Sequence, residues 1–408
     1  MSKIINVECH KVLDSRGEWT LATTVTLENK VFATAHIPKG ASTGENESHY
    51  LPVDKAVRIV STLIKDAISG QSVYDQQIID EMLIKIDGTP NKKHLGGNSC
   101  ISVSLAVAKA AAKCKNIQLY NYISNLYGSQ LSKKLKFPTP LFNILNGGKH
   151  ANNNLSFQEF VVIPNPTLNY YKQVQTGMTV YANLKSLLIK DGYNTGVGDE
   201  GGFAPFNFNV EKAFKYIKKA VEINFELGKD VFLGIDVAAG SFYDGENYEI
   251  REQKNTLTNT MLLSFYKSLV KKYPLIYVED PFYENDTIGW SNFYSVFNNK
   301  LMVVADDLVV TNTKYLSNAI KNNLANAVIV KPNQVGTLSE TLDFIKMAKN
   351  NNMSTIISHR SGDTPEDTFI ADLAIGTKAD FIKSGSPVRG ERVAKYNRLL
   401  EIYYEESK

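Results

Sequence analysis

The sequence predicts an α/β protein in which a C-terminal β/α barrel carries a smaller N-terminal α+β domain. Three observations lead there. The chain has 408 residues, too many for one ordinary domain and enough for a barrel of roughly 250 residues plus a second unit. It opens with strand-like segments followed by helical ones, the order of a small α+β domain. After Asp230, short apolar runs recur, each stopping abruptly at a polar residue.

Within residues 1–40, IINVECHKVL and LATTVTLENKVFATAHI are rich in β-branched residues and separated by polar turns, so they read as strands. From about Val53 to Tyr127 the pattern is helical. Its clearest piece, Ser102 to Cys114 (SVSLAVAKAAAKC), is Ala-rich and free of Gly and Pro. KFPTP, Lys136 to Pro140, carries two prolines two apart, which stop a helix and stiffen a link. The expected division is therefore residues 1–135 for the N-terminal capping domain and 136–408 for the barrel.

In the second part, VFLGID ends at Asp236, LIYVED reaches Glu279, MVVADD reaches Asp306, AVIVK ends at Lys331, STIISHR reaches His359 and DFIK ends at Lys383. After a first gap of 43 residues the spacings are 24 to 28, the length of a strand, a helix and their loops. Continuous apolar strands of this kind belong to parallel sheets covered on both faces. Barrel enzymes work at the C-terminal ends of their strands, so six ends aim Asp, Glu, Asp, Lys, His and Lys into one mouth.

Composition excludes several classes. With 45 basic and 42 acidic residues and a formal net charge of +3, the chain lacks the basic excess of a nucleic-acid or membrane-surface binder. Three cysteines, Cys9, Cys100 and Cys114, form no C-x-x-C pair, which argues against a zinc site or disulfide framework and for a reducing compartment. MSKIINVECH has no signal-like apolar run, and no stretch reaches the roughly 18 apolar residues of a membrane span. A soluble, cytoplasmic protein is expected.

Asp236, Glu279 and Asp306 would converge with no cysteine or histidine cluster nearby. All-oxygen donors suit a hard cation, and Mg²⁺ leaves positions open for substrate. The competing reading is a salt-bridge network with Lys331 and Lys383. A dication beside Lys331 would lower the lysine pKa toward that of a general base, which suits proton abstraction next to a carboxylate. Three glycine-rich loops are candidates for the mouth: GASTG at 40–44, NGGKH with QEF at 146–160, and VGDEGGFAP at 197–205. SHRSG offers Arg360 and Ser361 to an anion.

With LDSRG, GASTG, NILNGGKHANN, QEF, GDEGGFAP, DVAA, VEDPF, ADDL, VTN, VKPNQVGT, SHRSG, FIADLAIG, IKSG and ERVAKYN in this order, the chain resembles the enolase (phosphopyruvate hydratase) family essentially end to end. The resemblance implies reversible dehydration of 2-phosphoglycerate to phosphoenolpyruvate. It implies one Mg²⁺ on Asp236, Glu279 and Asp306, and a second Mg²⁺ on Ser42 as its loop closes on the substrate phosphate. Lys331 would take the C2 proton. Glu200 would be the acid for the C3 hydroxyl, supported by Glu159, with His150 and Gln158 lining the site. Arg360 and Ser361 would hold the phosphate, Lys383 the carboxylate, and His359 would lie in the same pocket. The family implies a homodimer, some members assembling further.

Some positions depart from the family pattern. Glu18-Trp19-Thr20 replaces Asn-Pro-Thr, about ten residues are absent after the GASTG loop, and Gly240-Ser241 replaces Ser-Glu. SHRSGDTPEDT has one extra residue, and Gly390 follows Arg389 where Ser is usual. None removes a ligand or catalytic group. Two rival functions stand beside the working enzyme: a surface receptor for host proteins acting through the terminal Lys408, and a dehydratase of unphosphorylated sugar acids.

Overall fold

Residues 2–40, 44, 46–132, 134–253 and 255–406 are described by a computed structural model; Ser42 and Lys408 lie outside them. Strands β1 (Ile4–Leu13), β2 (Trp19–Leu27) and β3 (Phe32–His36) form an antiparallel sheet in sequence order. A continuous helical stretch follows as α1 (Val53–Ile59), a π turn (Val60–Ile64) and α2 (Lys65–Ile68), then α3 (Gln76–Asp87), α4 (Gly97–Cys114) and α5 (Leu119–Tyr127). Fifteen of the eighteen residues of α4 are buried, which is why its sequence is small and apolar on every face.

The barrel closes eight strands: β4 (Thr139–Asn146), β5 (Glu159–Pro164), β6 (Val231–Asp236), and, after a small antiparallel hairpin β7 (Tyr248–Ile250) and β8 (Asn255–Leu257), β9 (Leu275–Glu279), β10 (Met302–Ala305), β11 (Ala327–Val330), β12 (Ser354–Ser358) and β13 (Phe381–Lys383). Around the ring the order is β10, β11, β12, β13, β4, β5, β6, β9. The hairpin accounts for the long first gap between strand ends.

The six barrel strands after Asp230 are parallel, as their apolar texture predicts. β5 is not: it runs antiparallel to both β4 and β6. Residues 147–158 between β4 and β5 contain only a 3-10 turn, with no helix to carry the chain back for a parallel return. The reversal has two consequences. The start of β5, Glu159, lies at the mouth and pairs across to Asp236. The chain then leaves β5 at the opposite end and returns through two helices, α6 (Tyr170–Lys190) and α7 (Val210–Glu222). Their connecting loop, which holds GDEGG, is thereby delivered to the mouth.

The remaining crossovers are α8 (Asn259–Lys272), α9 (Thr287–Phe297), α10 (Thr313–Lys321), α11 (Pro332–Val335) with α12 (Leu338–Asn350), and α13 (Phe369–Gly376); α14 (Gly390–Glu406) ends the fold. Alternation sorts the strand side chains. Leu141, Val161, Ile163, Tyr277, Val304, Ala327, Ile329 and Ile356 form a separate apolar cluster inside the barrel, while their neighbours Phe142, Val162, Val278, Val303, Val328 and Ile357 join the core beneath the helices. Continuing the inner parity past that apolar layer gives Glu159, Asp236, Glu279, Asp306, Lys331 and Lys383. His359 falls outside the parity, because Ile356 and Ser358 are the inward residues of β12.

Candidate active site

A cavity of about 260 Å³ opens at that end of the barrel. Its lining brings together His150, Gln158, Glu159, Glu200, Asp236, Asp306, Lys331, His359, Arg360, Ser361 and Lys383 from the predicted set. Glu279 lies directly beneath, fully buried and bonded to Lys383.

Asp236, Glu279 and Asp306 come from β6, β9 and β10, three consecutive staves of the ring. Lys383 reaches them from β13: its Nζ is 2.7 Å from Glu279 Oε2, 3.0 Å from Asp236 Oδ2 and 3.2 Å from Glu159 Oε1. Burial pulls the pKa of this lysine down, but the three carboxylates outweigh it and hold the group well above its ordinary value. Lys331 Nζ is paired with Asp306 Oδ2. Burial pulls its pKa down and Asp306 more than compensates, so it is raised rather than lowered. The sequence expectation ran the other way because it placed a dication, not a bare carboxylate, beside the lysine.

The cations do not satisfy the acids. Burial, then Asp236, pushes the Glu279 carboxyl up, and its Oε1 finds no hydrogen-bond partner among the described residues. Burial and the neighbouring acids also push up Asp280, and Asp307 to about 7. Carboxylates crowded until they hold protons, with a buried oxygen left unpaired, fit a hard, oxygen-seeking dication. Oxygens of Asp280, Asp306 and Asp307 also lie within 4.8 Å of one another.

Asp280 was not foreseen as part of the site. Its two oxygens accept the backbone N–H groups of Asp306 and Asp307, both at 3.0 Å, and so set the turn that presents Asp306. Backbone strain is present here: Ala238 and Asp280, just past strand ends, and Val310 and Thr311, in the turn after β10, all have positive φ, between 41° and 54°. Gln334 supports Asp306 Oδ1 at 3.1 Å, while Gln158 supports Asp236 Oδ2 at 3.1 Å.

The opposite wall is built by β5 and its loops; β5 and β11 are four strands apart in the ring of eight. His150 Nδ1 lies 3.5 Å from Glu159 Oε1 and 3.6 Å from Glu200 Oε1. Asn143 donates to Glu200 Oε2 at 3.1 Å, and His359 Nε2 is 3.2 Å from Glu200 Oε1. Burial and the Glu200 charge drive Glu159 well above the carboxylate range. Burial also pushes Glu200 upward, but His150, His359 and Arg392 outweigh it and hold Glu200 well below. Burial presses His359 down to about 4. The wall thus sets two neighbouring carboxyl groups apart, Glu159 held above the carboxylate range and Glu200 below it, with His150 and His359 beside them. Gly385, just beyond Lys383, has φ of +74°, and a Cβ there would stand 2.7 Å from the Glu200 carbonyl.

Arg360 does not stand open. Its Nη1 and Nη2 donate to Glu47 at 3.0 and 3.2 Å, and Nη1 also reaches Asn333 Oδ1 at 3.3 Å. Glu47 accepts the Gly44 N–H at 3.0 Å, which ties the foot of the GASTG loop to Arg360. Sequence reading missed Glu47, Asp280 and Asp307. The only signal for the two aspartates was their place beside a predicted ligand, in VED and ADD.

Base-type and acid-type groups on facing walls, with carboxylates for a hard cation between them, define a barrel enzyme that moves protons on an anionic substrate. Two family models match the chain: "Enolase, N-terminal domain" over residues 4–123 and "Enolase, C-terminal TIM barrel domain" over residues 134–407. The chain is 44% identical to the enolase of Ehrlichia ruminantium (strain Welgevonden) over 412 residues, covering 98% of this chain and 96% of the relative. It is also 44% identical to that of Ehrlichia canis (strain Jake) over 411 residues, with the same coverage. The chain belongs to the enolase family. Its reaction is the metal-dependent conversion of 2-phosphoglycerate to phosphoenolpyruvate in glycolysis, a carbon–oxygen lyase reaction.

Proposed function

We propose that Lys331 takes the C2 proton of 2-phosphoglycerate and that Glu200, supported by Glu159 and His150, gives a proton to the departing C3 hydroxyl. The observation that carries this reading is the placement of β11 and β5 on facing walls, which puts the lysine and the carboxylate pair on opposite sides of one cavity. Proton and hydroxyl can then leave from different faces of the substrate. Lys331 owes its hold on the proton to Asp306, so a partner that engages Asp306 lowers its pKa toward the working range of a general base. Glu159 is the better proton store of the acid pair, and His150 lies between the two carboxylates.

In this reading Asp236, Glu279 and Asp306 hold one Mg²⁺, and Ser42 helps to hold a second with the substrate phosphate. Bound magnesium would supply electrostatic stabilisation of charge that develops on the substrate carboxylate. Lys383 adds a fixed positive charge on the same side. Arg360 and Ser361 receive the phosphate, and Gln158 and His359 line the pocket. A division near residue 135 is supported by the second matched segment, which begins at residue 134. A homodimer is supported by Leu13 and Trp19, paired across β1 and β2 and both more than half exposed. A reducing, cytoplasmic setting is supported by three unpaired cysteines; among the described residues no helix is long and apolar enough to cross a membrane.

The test separates the two proton transfers. With Mg²⁺ and 2-phosphoglycerate, absorbance from phosphoenolpyruvate should rise and EDTA should stop it. Lys331→Ala should keep substrate binding but lose exchange of the C2 hydrogen with solvent deuterium. Exchange that persists in the variant removes Lys331 from the base role.

A further inference from the structure

Of the six strand-end residues, His359 alone lies out of step with the inward parity, yet it is among those that line the cavity. The side chain that accounts for this is Arg392, near the start of α14, fully buried and absent from the cavity wall. Its Nη1 donates to His359 Nδ1 and to the Arg360 carbonyl, both at 2.7 Å. Its Nη2 donates to the Ser361 carbonyl and, at 3.2 Å, to the carbonyl of Asp199, the residue before Glu200. One guanidinium therefore grips the backbone after His359, its ring, and the loop that carries Glu200. Asp363 faces it at 3.5 Å and Glu391 at 3.5 Å, while Lys395 takes the other strong contact to Asp363 at 2.8 Å.

A guanidinium can only donate, so His359 Nδ1 must accept and the ring proton must sit on Nε2. That nitrogen is buried, 3.2 Å from Glu200 Oε1, and has no well-aligned hydrogen-bond partner among the described residues. We propose that Arg392 is a positioning residue for the dehydration half of the reaction: it holds His359 as the neutral Nε2–H form and fixes the Glu200 loop, so that both face the departing hydroxyl. Lys331, on the opposite wall, lies outside its reach, so proton abstraction should not need it. The proposal rests on the assignment of Glu200 as the acid.

The discriminating substitution is Arg392→Lys, which keeps a positive charge opposite Asp363 but offers one nitrogen in place of a fork spanning four acceptors. The folded, magnesium-loaded enzyme is assayed for C2 hydrogen exchange in D₂O and for phosphoenolpyruvate formation. A misplacement of the acid by about 1 Å is expected to cost on the order of 100-fold in phosphoenolpyruvate formation, with exchange reduced only several-fold. Lys395→Met is the structural control: it removes a buried cation from the same network without touching His359 or Asp199, and should lower thermal stability without splitting the two rates. Methylguanidine added to Arg392→Ala should restore dehydration in part, and ¹⁵N spectra of the wild-type imidazole should show Nδ1 unprotonated. Equal loss of both rates in Arg392→Lys, or the same split in Lys395→Met, overturns the proposal. Glu200→Gln run alongside should show the split; if it does not, the acid assignment fails, and Arg392 loses its role with it.

Discussion

Lys383→Met tests the electrostatic balance of the barrel mouth. The substitution keeps the volume of a buried side chain but removes an ammonium that lies 2.7, 3.0 and 3.2 Å from three carboxylates. At an effective dielectric of about 20, each contact near 3 Å carries roughly 5 kcal/mol of gross Coulomb attraction. Most of that offsets the desolvation of the charges, and breaking such a buried pair nets about 3–5 kcal/mol. At about 2–4 °C per kcal/mol for a domain of this size, Tm measured in EDTA should fall by about 6–20 °C. Mg²⁺ should recover far more of the loss in the variant than it adds to the wild type, because a dication can neutralise Asp236 and Glu279 in place of the lysine. Calorimetric scans of both proteins, with and without Mg²⁺, give the four numbers required. A Tm deficit that is the same in Mg²⁺ and EDTA would refute the reasoning, since it would mean that Lys383 acts through packing.

Two further outcomes are expected. Asp87 accepts the backbone N–H groups of Thr89, His94 and Leu95 at 3.0, 2.9 and 2.6 Å; burial pushes its pKa up, but these bonds and the Thr89 hydroxyl hold it below the ordinary value. A depressed folded pKa stabilises above the unfolded value near about 4 and loses that contribution as pH falls, so Asp87→Asn should cost about 1.5–3 kcal/mol at neutral pH in urea unfolding, with the gap closing in acid. Gly385→Ala forces a side chain into φ of +74° and against the Glu200 carbonyl; a loss of about 2 kcal/mol or more, with a matching fall in turnover, is expected, and unchanged stability and rate would contradict the close approach described at that glycine.

The strand-end residues were legible because a parallel strand repeats a simple local rule: an apolar run that stops at a charge. Asp236, Glu279, Asp306, Lys331 and Lys383 obey it and share the inward parity. The reversal of β5 was not legible, because strand direction depends on how the intervening chain crosses the sheet and leaves no trace in alternation. The resemblance to the family supplied Glu159 and Glu200; periodicity supplied neither. Glu47, Asp280 and Arg392 escaped because their work is done on neighbouring groups. Glu47 clasps Arg360, Asp280 bonds two backbone amides, and Arg392 is enclosed at the start of the last helix. Lys331 shows the limit of arguing pKa from identity alone, since its direction depends on which partner Asp306 serves.

The two walls of the cavity are fastened to one frame. Lys331 follows β11, which is hydrogen-bonded along both edges to parallel neighbours. Glu200 rides on the loop between α6 and α7, and that loop is stitched to the barrel: Phe203 exchanges backbone hydrogen bonds with Ile144 and Asn146 of β4, and the Glu200 carbonyl accepts the Ser386 N–H. Neither group shifts without deforming the ladder that carries it. The gap across the cavity is therefore set in the barrel itself, like the jaws of a fixed gauge, and only a substrate whose span matches it meets both groups at once.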